Sequence, residues 1–140
     1  MAGLVAGLTL AGIGTALAAP GFSTANVNLR TGPDTAYPSA GIIPAGSPLE
    51  IYGCLNDQSW CDVDWYGNRG WVFSEYLGMD YQGRRVFVPD YSLAIGIPIV
   101  AFSFNDYWNT YYVDRPWYRN RPKWEYYAPR PRAGWRPPPA

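Results

Sequence analysis

An all-β fold is predicted for this chain: a small five-stranded barrel followed by an irregular or disordered C-terminal tail. Three observations carry that prediction. The 140 residues include 15 glycines and 14 prolines, which interrupt long helices and favour short strands and turns. Apolar and polar residues alternate with a period of two at several places within residues 25–78. Turn-forming residues separate these alternating stretches at short intervals, as they do in small barrels.

The chain begins with an uncharged, apolar leader, residues 1–18, which is predicted to be a signal peptide. Ala16-Leu17-Ala18 has the small-x-small pattern of a cleavage site, so we expect cleavage after Ala18. An uncleaved membrane anchor is the alternative, since about 18 apolar residues is near the lower limit for a membrane span. Either way the protein is expected to be exported, to the periplasm or the cell envelope.

The strands follow the leader in the order of the chain. Five segments have the strand pattern: residues 26–30, 42–43, 49–52, 60–65 and 70–73. The turns between them contain glycine, proline, asparagine or aspartate, each of which favours a turn for its own steric or hydrogen-bonding reason. Ser74–Leu77 is predicted to be a short closing helical turn. Strand alternation predicts four core side chains: Leu49, Ile51, Val63 and Trp71.

Cys54 and Cys61 are the two cysteines of the chain, and in an exported protein their close spacing predicts a disulfide. Two thiolates without a histidine make only half a zinc site, so no metal is expected. Alternation puts Cys61 on the face of Val63 but Cys54 on the face opposite to Ile51. A cross-strand disulfide therefore requires a bulge near Gly53, unless Cys54 already lies in the loop.

Several motifs within this region occur in the order of a known family. Asn28-Leu29-Arg30-Thr31-Gly32-Pro33 opens the region, and Gly70-Trp71-Val72 followed by Ser74-Glu75-Tyr76-Leu77 closes it. Residues 25–78 resemble a bacterial SH3 (SH3b) domain on these motifs. The resemblance implies an SH3-like barrel and a binding role, with a peptide or a cell-wall (peptidoglycan) component as the expected ligand.

SH3-like barrels bind ligands on an aromatic-lined surface between their loops. Four aromatic residues of this chain are candidates for that surface, because alternation points them outward or because they lie in loops: Tyr37, Tyr52, Trp60 and Tyr66. Two of them have a structural alternative. Tyr37 could pack inward against Leu29, and Trp60 could shield the disulfide.

Residues 79–114 are predicted to be an extension with short strands and a possible short helix. Residues 84–88 have a strand pattern, and residues 93–104 are predicted to be a buried strand or loop. Asn105-Asp106 can cap a short helix that carries four aromatic rings: Tyr107, Trp108, Tyr111 and Tyr112. These rings could form a binding face, but we favour the interpretation that they cover the barrel.

Residues 115–140 carry seven basic side chains against one acidic side chain, and they contain half of the prolines. Such a composition predicts a disordered tail. Its contact candidates are the rings of Trp117, Tyr118, Trp124 and Trp135. The tail could bind an anionic envelope surface, a protein groove or the acidic residues 26–114 of its own chain, or it could merely keep the protein soluble. Nucleic acid is not expected as a partner of an exported protein.

No catalytic arrangement is found in the sequence, so the protein is predicted to be a non-enzyme without cofactors. The chain has no histidine, and neither cysteine is expected to be free. Asp62 and Asp64 share a strand face, but we interpret them as the solvated face of an edge strand. Two hypotheses remain: a non-catalytic exported binding module, or a structural or adaptor envelope protein that acts through its tail.

Overall fold

The computed structural model describes residues 17–130 and 132–137. The predicted signal peptide lies outside the described residues except for Leu17 and Ala18. Strand pairing begins directly after the predicted cleavage point, where Ala19 pairs with Ile51. Across the described ranges, no helix has the length and apolar character needed to cross a membrane.

One antiparallel sheet of eight strands curls into a half-barrel, which confirms the all-β prediction. The strands are β1 (Ala19–Ser23), β2 (Val27–Arg30), β3 (Ser39–Ile43), β4 (Pro48–Cys54), β5 (Trp60–Trp65), β6 (Asn68–Phe73), β7 (Leu77–Tyr81) and β8 (Arg84–Phe87). Their order across the sheet is β3-β2-β6-β5-β4-β1-β7-β8. The five predicted strands correspond to β2–β6. The sheet is larger than predicted because β1 pairs with both β4 and β7, and β8 adds to the edge of β7.

Short helices fill the connections and the C-terminal half. In the part of the chain that the structure describes, the α-helices are α1 (Val88–Ile95), α2 (Phe104–Tyr111) and α3 (Arg121–Trp124), and 3₁₀ turns span Ser74–Tyr76 and Pro116–Asn120. Helix α2 lies where the sequence predicted a helix. Helix α1 replaces the predicted buried strand or loop at residues 93–95, whereas residues 97–103 form a loop with an isolated bridge between Ile99 and Cys54. Pro89 is preorganised for the first helical turn, and Gly96 ends the helix in the left-handed region at φ 85°.

The interior of the half-barrel is aliphatic. Its fully buried members include Leu29, Ile43, Ile51, Val63, Val72 and Leu77. Leu49, Ile51 and Val63 therefore lie in the predicted core. Trp71 is buried on the opposite face, because Val63 pairs with Gly70 while Trp71 pairs with Asp62. The prediction for Trp71 was wrong about the face, since it assumed that only one side of the sheet is covered.

A β-bulge lies next to Gly53, as the two cysteines required. Ile51 pairs with Val63 but Gly53 pairs with Asp62, so Tyr52 is the extra residue. This shift brings Cys54 opposite Cys61, and the two form the disulfide.

Gly53 also lies under a neighbouring segment of the chain, residues 98–100. The Cys54 N–H donates to the carbonyl of Pro98 at 2.9 Å, and the Val100 N–H donates to the carbonyl of Cys54 at 2.9 Å. A Cβ atom at Gly53 would lie 2.5 Å from Cγ1 of Val100. Glycine is therefore the residue that lets this segment approach the strand.

The C-terminal tail is irregular, but the predicted disorder is wrong for residues 115–130 and 132–137. Two short helical turns, Pro116–Asn120 and α3, fold back on the barrel, and Trp124 is buried there. The prolines and arginines cannot build a core by themselves. The aromatic rings interleaved with them instead pack on a core that the barrel supplies.

Loss of the disulfide is expected to destabilise the barrel. The bond closes a short loop, with a sequence separation of 7, and is buried. The chain-entropy estimate for such a loop is about 2–3 kcal/mol. Thermal melting with and without dithiothreitol should show a lower midpoint in the reduced protein. A Cys54→Ala/Cys61→Ala variant should melt at the reduced midpoint in both conditions, and an unchanged parent midpoint would contradict the prediction.

Candidate functional site

The outer face of β5 and β6 is the platform on which the C-terminal half of the chain sits. Antiparallel partners share a face, so the pairs Trp60–Phe73 and Asp62–Trp71 lie together on the side away from the aliphatic core. The rings of Trp60 and Phe73 meet edge to face at 5.5 Å. Tyr37 joins them from the loop after β2. We call Tyr37, Trp60, Trp71 and Phe73 the aromatic platform.

Helix α2 and the segment before it cover one half of this platform. The ring centroid of Trp71 lies 5.6 Å from that of Phe102 and 5.7 Å from that of Tyr107. Trp108 is fully buried, and its indole N–H donates to the Thr31 carbonyl at 2.8 Å. The aromatic residues of α2 therefore pack over the barrel, which is the interpretation favoured from the sequence.

A buried ion pair fastens α2 to the sheet. Nε and Nη2 of Arg69 each donate to a carboxylate oxygen of Asp62 at 2.9 Å, and the Tyr107 hydroxyl donates to the same carboxylate at 2.6 Å. Asp62 is only 7% exposed, and β5 is an interior strand. The predicted solvated edge face is therefore wrong for Asp62: this carboxylate is a structural link between the barrel and the extension.

The Arg69 guanidinium also stacks between two tyrosines. Its central carbon lies 3.7 Å from the ring centroid of Tyr52 and 4.5 Å from that of Tyr111. Burial raises the pKa of Asp62 above its ordinary value, although Arg69 and Tyr107 act in the opposite direction. Removing the arginine would consequently leave a carboxylate that is costly to keep ionised.

A second carboxylate, Asp34, holds the end of the tail. The Ala36 N–H donates to its Oδ1 at 2.9 Å, and Oδ2 accepts from the Tyr127 hydroxyl at 2.7 Å and from the Arg130 N–H at 2.9 Å. Burial by itself raises the pKa of this carboxyl. The hydrogen bonds from Arg130, Tyr127 and Ala36 lower it, and the pKa of Asp34 lies below its ordinary value.

The last part of the described tail binds Asp34 and crosses the aromatic platform. We call residues 127–130 and 132–137 the strap. The Trp135 indole N–H donates to the Asp57 carbonyl at 2.9 Å, and its ring lies 5.2 Å from that of Phe73. The Arg132 guanidinium lies 4.1 Å from the centroid of the same phenylalanine. Phe73 therefore contacts two side chains of the strap, Arg132 and Trp135.

Two cavities border Trp60, and both are also lined by Thr35 and by Arg132 of the strap. The first, of about 440 Å³, is lined by Ala25, Asn26, Val27, Asn28, Arg30, Thr35, Trp60, Phe73, Tyr76 and Arg132. The second, of about 470 Å³, is lined by Asp34, Thr35, Trp60, Tyr127, Arg130, Arg132 and Ala133. Trp60 is 4% exposed, and its indole N–H has no hydrogen-bond partner among the described residues. We call the first cavity the Trp60 groove.

The four predicted ligand-binding residues do not form one surface. Trp60 lines both cavities, whereas Tyr37 is buried beneath Trp124 and Tyr127 at ring distances of 5.0 and 5.4 Å. Tyr37 lies in the loop after β2, as predicted, but the tail covers it and leaves it 1% exposed. Tyr52 belongs to the Arg69 stack, and Tyr66 is 77% exposed at the β5–β6 turn. A ligand role for these residues stays a prediction.

The four predicted contact rings of the tail all touch the protein itself. Trp117 packs on Tyr112 with centroids 5.2 Å apart, and the Tyr118 hydroxyl donates to Asn109 at 2.6 Å. Trp124 packs on Tyr37, and Trp135 packs on Phe73. The described tail is thus docked on its own chain, one of the alternatives left open from the sequence. A contact with an external surface stays a prediction.

Sequence reasoning missed Asp34, Asp57 and Phe73 as docking residues. Asp34 is a turn former, because its Oδ1 accepts a hydrogen bond from the Ala36 N–H two residues later. Its other oxygen binds residues more than 90 positions away in the chain. No local sequence pattern predicts such a contact. The opposite net charges of the acidic domain and the basic tail indicated only that the tail could bind the domain.

Comparison with known proteins identifies the region that carries these groups. The family model described as "Bacterial SH3 domain" matches residues 25–78. Residues 25–78 are a bacterial SH3 domain. Such domains are binding modules and are often associated with the cell wall. No curated protein matches the chain in a sequence search.

A solved structure with similarity to this chain is NlpC2 from Trichomonas vaginalis. The two share 20% sequence identity with a TM-score of 0.42, and the match covers 46% of this chain. It covers 24% of NlpC2, so the present chain spans about a quarter of that protein.

Breaking the Asp62–Arg69 pair from one side is expected to destabilise the protein strongly. Arg69→Leu leaves a buried carboxylate without its cation, so the free energy of unfolding should fall by about 3–5 kcal/mol. The double variant Asp62→Leu/Arg69→Leu should be more stable than this single variant. Urea unfolding measures both. Arg85→Leu is the matched control, because the pair of Arg85 and Asp80 is 75% exposed on each side. A loss of similar size in that control would contradict the argument.

Docking of the strap is expected to weaken at acid pH. The folded-state pKa of Asp34 lies below its ordinary value of 3.8, so its stabilising contribution is present above that value and is lost as the pH falls through the lower, folded pKa. The NMR signal of the Trp135 indole proton should move toward its free position over this range. In Asp34→Asn the strap should be weaker, and its docking should not change over the same range. Identical titrations of parent and variant would refute the role of Asp34.

Proposed function

We propose that the chain is a non-catalytic, exported binding module of the cell envelope. Its SH3 domain holds a peptide, and a peptide stem of peptidoglycan is the favoured ligand. The observation that carries this proposal is the Trp60 groove, which combines aromatic side chains with hydrogen-bonding side chains. The groove lies on a bacterial SH3 domain, and such domains are binding modules.

The chemistry of the groove suits an extended peptide. Oδ1 of Asn26 accepts from the Ala45 N–H, and Oδ1 of Asn28 accepts from the Ser39 hydroxyl. Their amide N–H groups can therefore donate to peptide carbonyls or to a terminal carboxylate. Arg30 adds a cation that matches a carboxylate, while Trp60 and Tyr76 offer apolar contact. A cavity of about 440 Å³ is in the range that holds a few residues of a peptide.

Two features support export. The leader, residues 1–18, has the pattern of a signal peptide. The disulfide is typical of proteins that fold in an oxidising compartment. Together they favour the periplasm or the cell envelope, where a peptidoglycan ligand is present.

The residues that could have supported catalysis have structural partners. Cys54 and Cys61 are bonded to each other, so neither is a free nucleophile. Asp62 is bound by Arg69 and Tyr107, and it lines neither of the two cavities at Trp60. These assignments support a binding function without a chemical step.

An envelope adaptor that acts through its tail is the second candidate function, and one observation favours it. An open cavity of about 620 Å³ in the tail is lined by three arginines together with Asp114: Arg115, Arg119 and Arg121. Clustered guanidinium groups bind phosphate or carboxylate groups. This surface could contact an anionic lipid or lipopolysaccharide while the SH3 domain serves as a scaffold.

Retention on purified peptidoglycan tests the proposal and separates it from the alternative. Asn28→Ala and Trp60→Ala alter the Trp60 groove and should each reduce binding of the full chain by about tenfold, because a lost, desolvated contact is worth about 1.4 kcal/mol. Tyr126→Ala removes a ring that is 94% exposed and lies outside the groove, and it should bind as the parent does. Circular dichroism confirms that each variant is folded.

The opposite pattern would refute the groove. If Asn28→Ala folds and binds like the parent while Arg115→Ala/Arg119→Ala loses retention, the tail is the binding surface. If the parent itself is not retained on peptidoglycan, this ligand class is wrong.

A further inference from the structure

The strap contacts the SH3 domain in the way that a bound peptide would. Its Arg130 main-chain N–H and Tyr127 hydroxyl bind the carboxylate of Asp34, and its Trp135 indole binds the Asp57 carbonyl. The ring of Trp135 packs against the ring of Phe73. We call Asp34, Asp57 and Phe73 the strap track, because these domain residues are separated from the strap by more than 50 positions of chain.

A tight turn sets the spacing of the two side chains that meet Phe73. The Trp135 N–H donates to the Arg132 carbonyl at 3.0 Å, and Gly134 has φ 78°, a conformation that glycine adopts without strain. This turn, Arg-Ala-Gly-Trp, places a guanidinium at 4.1 Å and an indole at 5.2 Å from one phenylalanine ring. A Cβ atom at Gly134 would meet nothing within 4 Å, so only the backbone requires glycine there.

The strap is held by few contacts. Three hydrogen bonds join it to the domain, and cavities of about 470 and 290 Å³ remain along its length. Pro129, Ala133, Gly134 and Arg136 are exposed. Segments with few buried contacts open at low free-energy cost, so the strap can leave the track without unfolding the barrel.

The opposite charges of the SH3 domain and the tail define which segments can replace the strap. The SH3 domain carries two arginines against six carboxylates, whereas residues 115–140 carry seven basic groups against one acidic group. A replacement segment must supply a main-chain donor for Asp34 and a cation and an indole for Phe73. The track therefore selects basic segments and disfavours acidic ones.

We propose that the strap track is an exchangeable docking site for a basic, proline-rich segment of a partner protein that contains an Arg-x-Gly-Trp turn, and that the strap is its resident occupant. This inference rests on the proposed role of the domain as a binding module, and it names a second class of ligand beside the Trp60 groove.

A labelled synthetic peptide with the sequence of residues 126–137 serves as the probe, and fluorescence anisotropy with full-length protein measures binding. Trp135→Ala in the protein weakens the resident strap, so this variant should bind the probe at least about tenfold more tightly than the parent, in which the tethered strap competes at high effective concentration. Arg132→Ala is a second strap variant with the same expectation. Adding Asp34→Asn to either should abolish the gain.

Matched controls isolate the turn and the track. A probe that carries Gly134→Ala keeps every charge and ring but disfavours the turn, and it should bind at least about fivefold more weakly because the left-handed conformation is strained for alanine. Tyr126→Ala in the protein removes a ring that is 94% exposed, and it should bind the probe as weakly as the parent does. Thermal melting verifies that all the protein variants are folded.

The proposal is overturned if the probe binds the parent and both strap variants equally, or if the Gly134→Ala probe binds as tightly as the original. It is also overturned if the strap variants form dimers and ignore the probe, since the occupant would then be a second copy of the chain. The assay contains no peptidoglycan, so the peptidoglycan proposal and the strap proposal can fail separately.

Discussion

The outer face of strands β5 and β6 is the constraint on which the rest of the structure depends. A small half-barrel buries its aliphatic interior, but Trp60, Trp71 and Phe73 project from the other side of the same sheet. Such rings expose a large apolar area, and covering them is favourable by roughly 25 cal/mol for each Å² removed from water. The C-terminal half supplies that cover with rings of its own. The sheet is therefore the middle layer of the protein, and the consecutive apolar residues Trp71, Val72 and Phe73 of β6 are buried on its two faces.

Two carboxylates attach the C-terminal half of the chain to the barrel, one firmly and one loosely. Asp62 is buried beneath α2 with a bidentate arginine and a tyrosine, and its partners come from both layers. Asp34 lies at the other end of the platform and binds the strap through one hydroxyl and one main-chain N–H. Both carboxylates are nearly buried, with Asp62 7% and Asp34 8% exposed, but Asp34 also lines a cavity of about 470 Å³. The same residue type thus fixes the extension in one place and leaves the strap exchangeable in another.

Local rules predicted the barrel well and its cover poorly. The strands β2–β6, the bulge beside Gly53 and the Cys54–Cys61 bond follow from alternation, turn residues and disulfide geometry, all of which act between near neighbours in the chain. The position of Trp71 and the order in the tail depend on contacts between residues that are about 30 to 96 positions apart. Composition alone favours disorder for a segment rich in proline and arginine. The Trp60 groove was predicted only in part. Trp60 was a candidate ligand-binding residue, but Asn26, Asn28 and Arg30 alternate with apolar residues as in any strand, and this spacing does not indicate a groove.

The main chain of Cys54 has a consequence for the order in which the protein can fold. Its sulfur is bonded across to β5, while its N–H and carbonyl bind residues 98 and 100 in the opposite direction. The β4–β5 hairpin is a local contact that closes early, whereas residues 98–100 must find an edge that exists only after the bulge has formed. We therefore expect the hairpin to form first and the second layer to pack on it afterwards. A chain emerging N-terminus first would present these parts in the order in which they are needed.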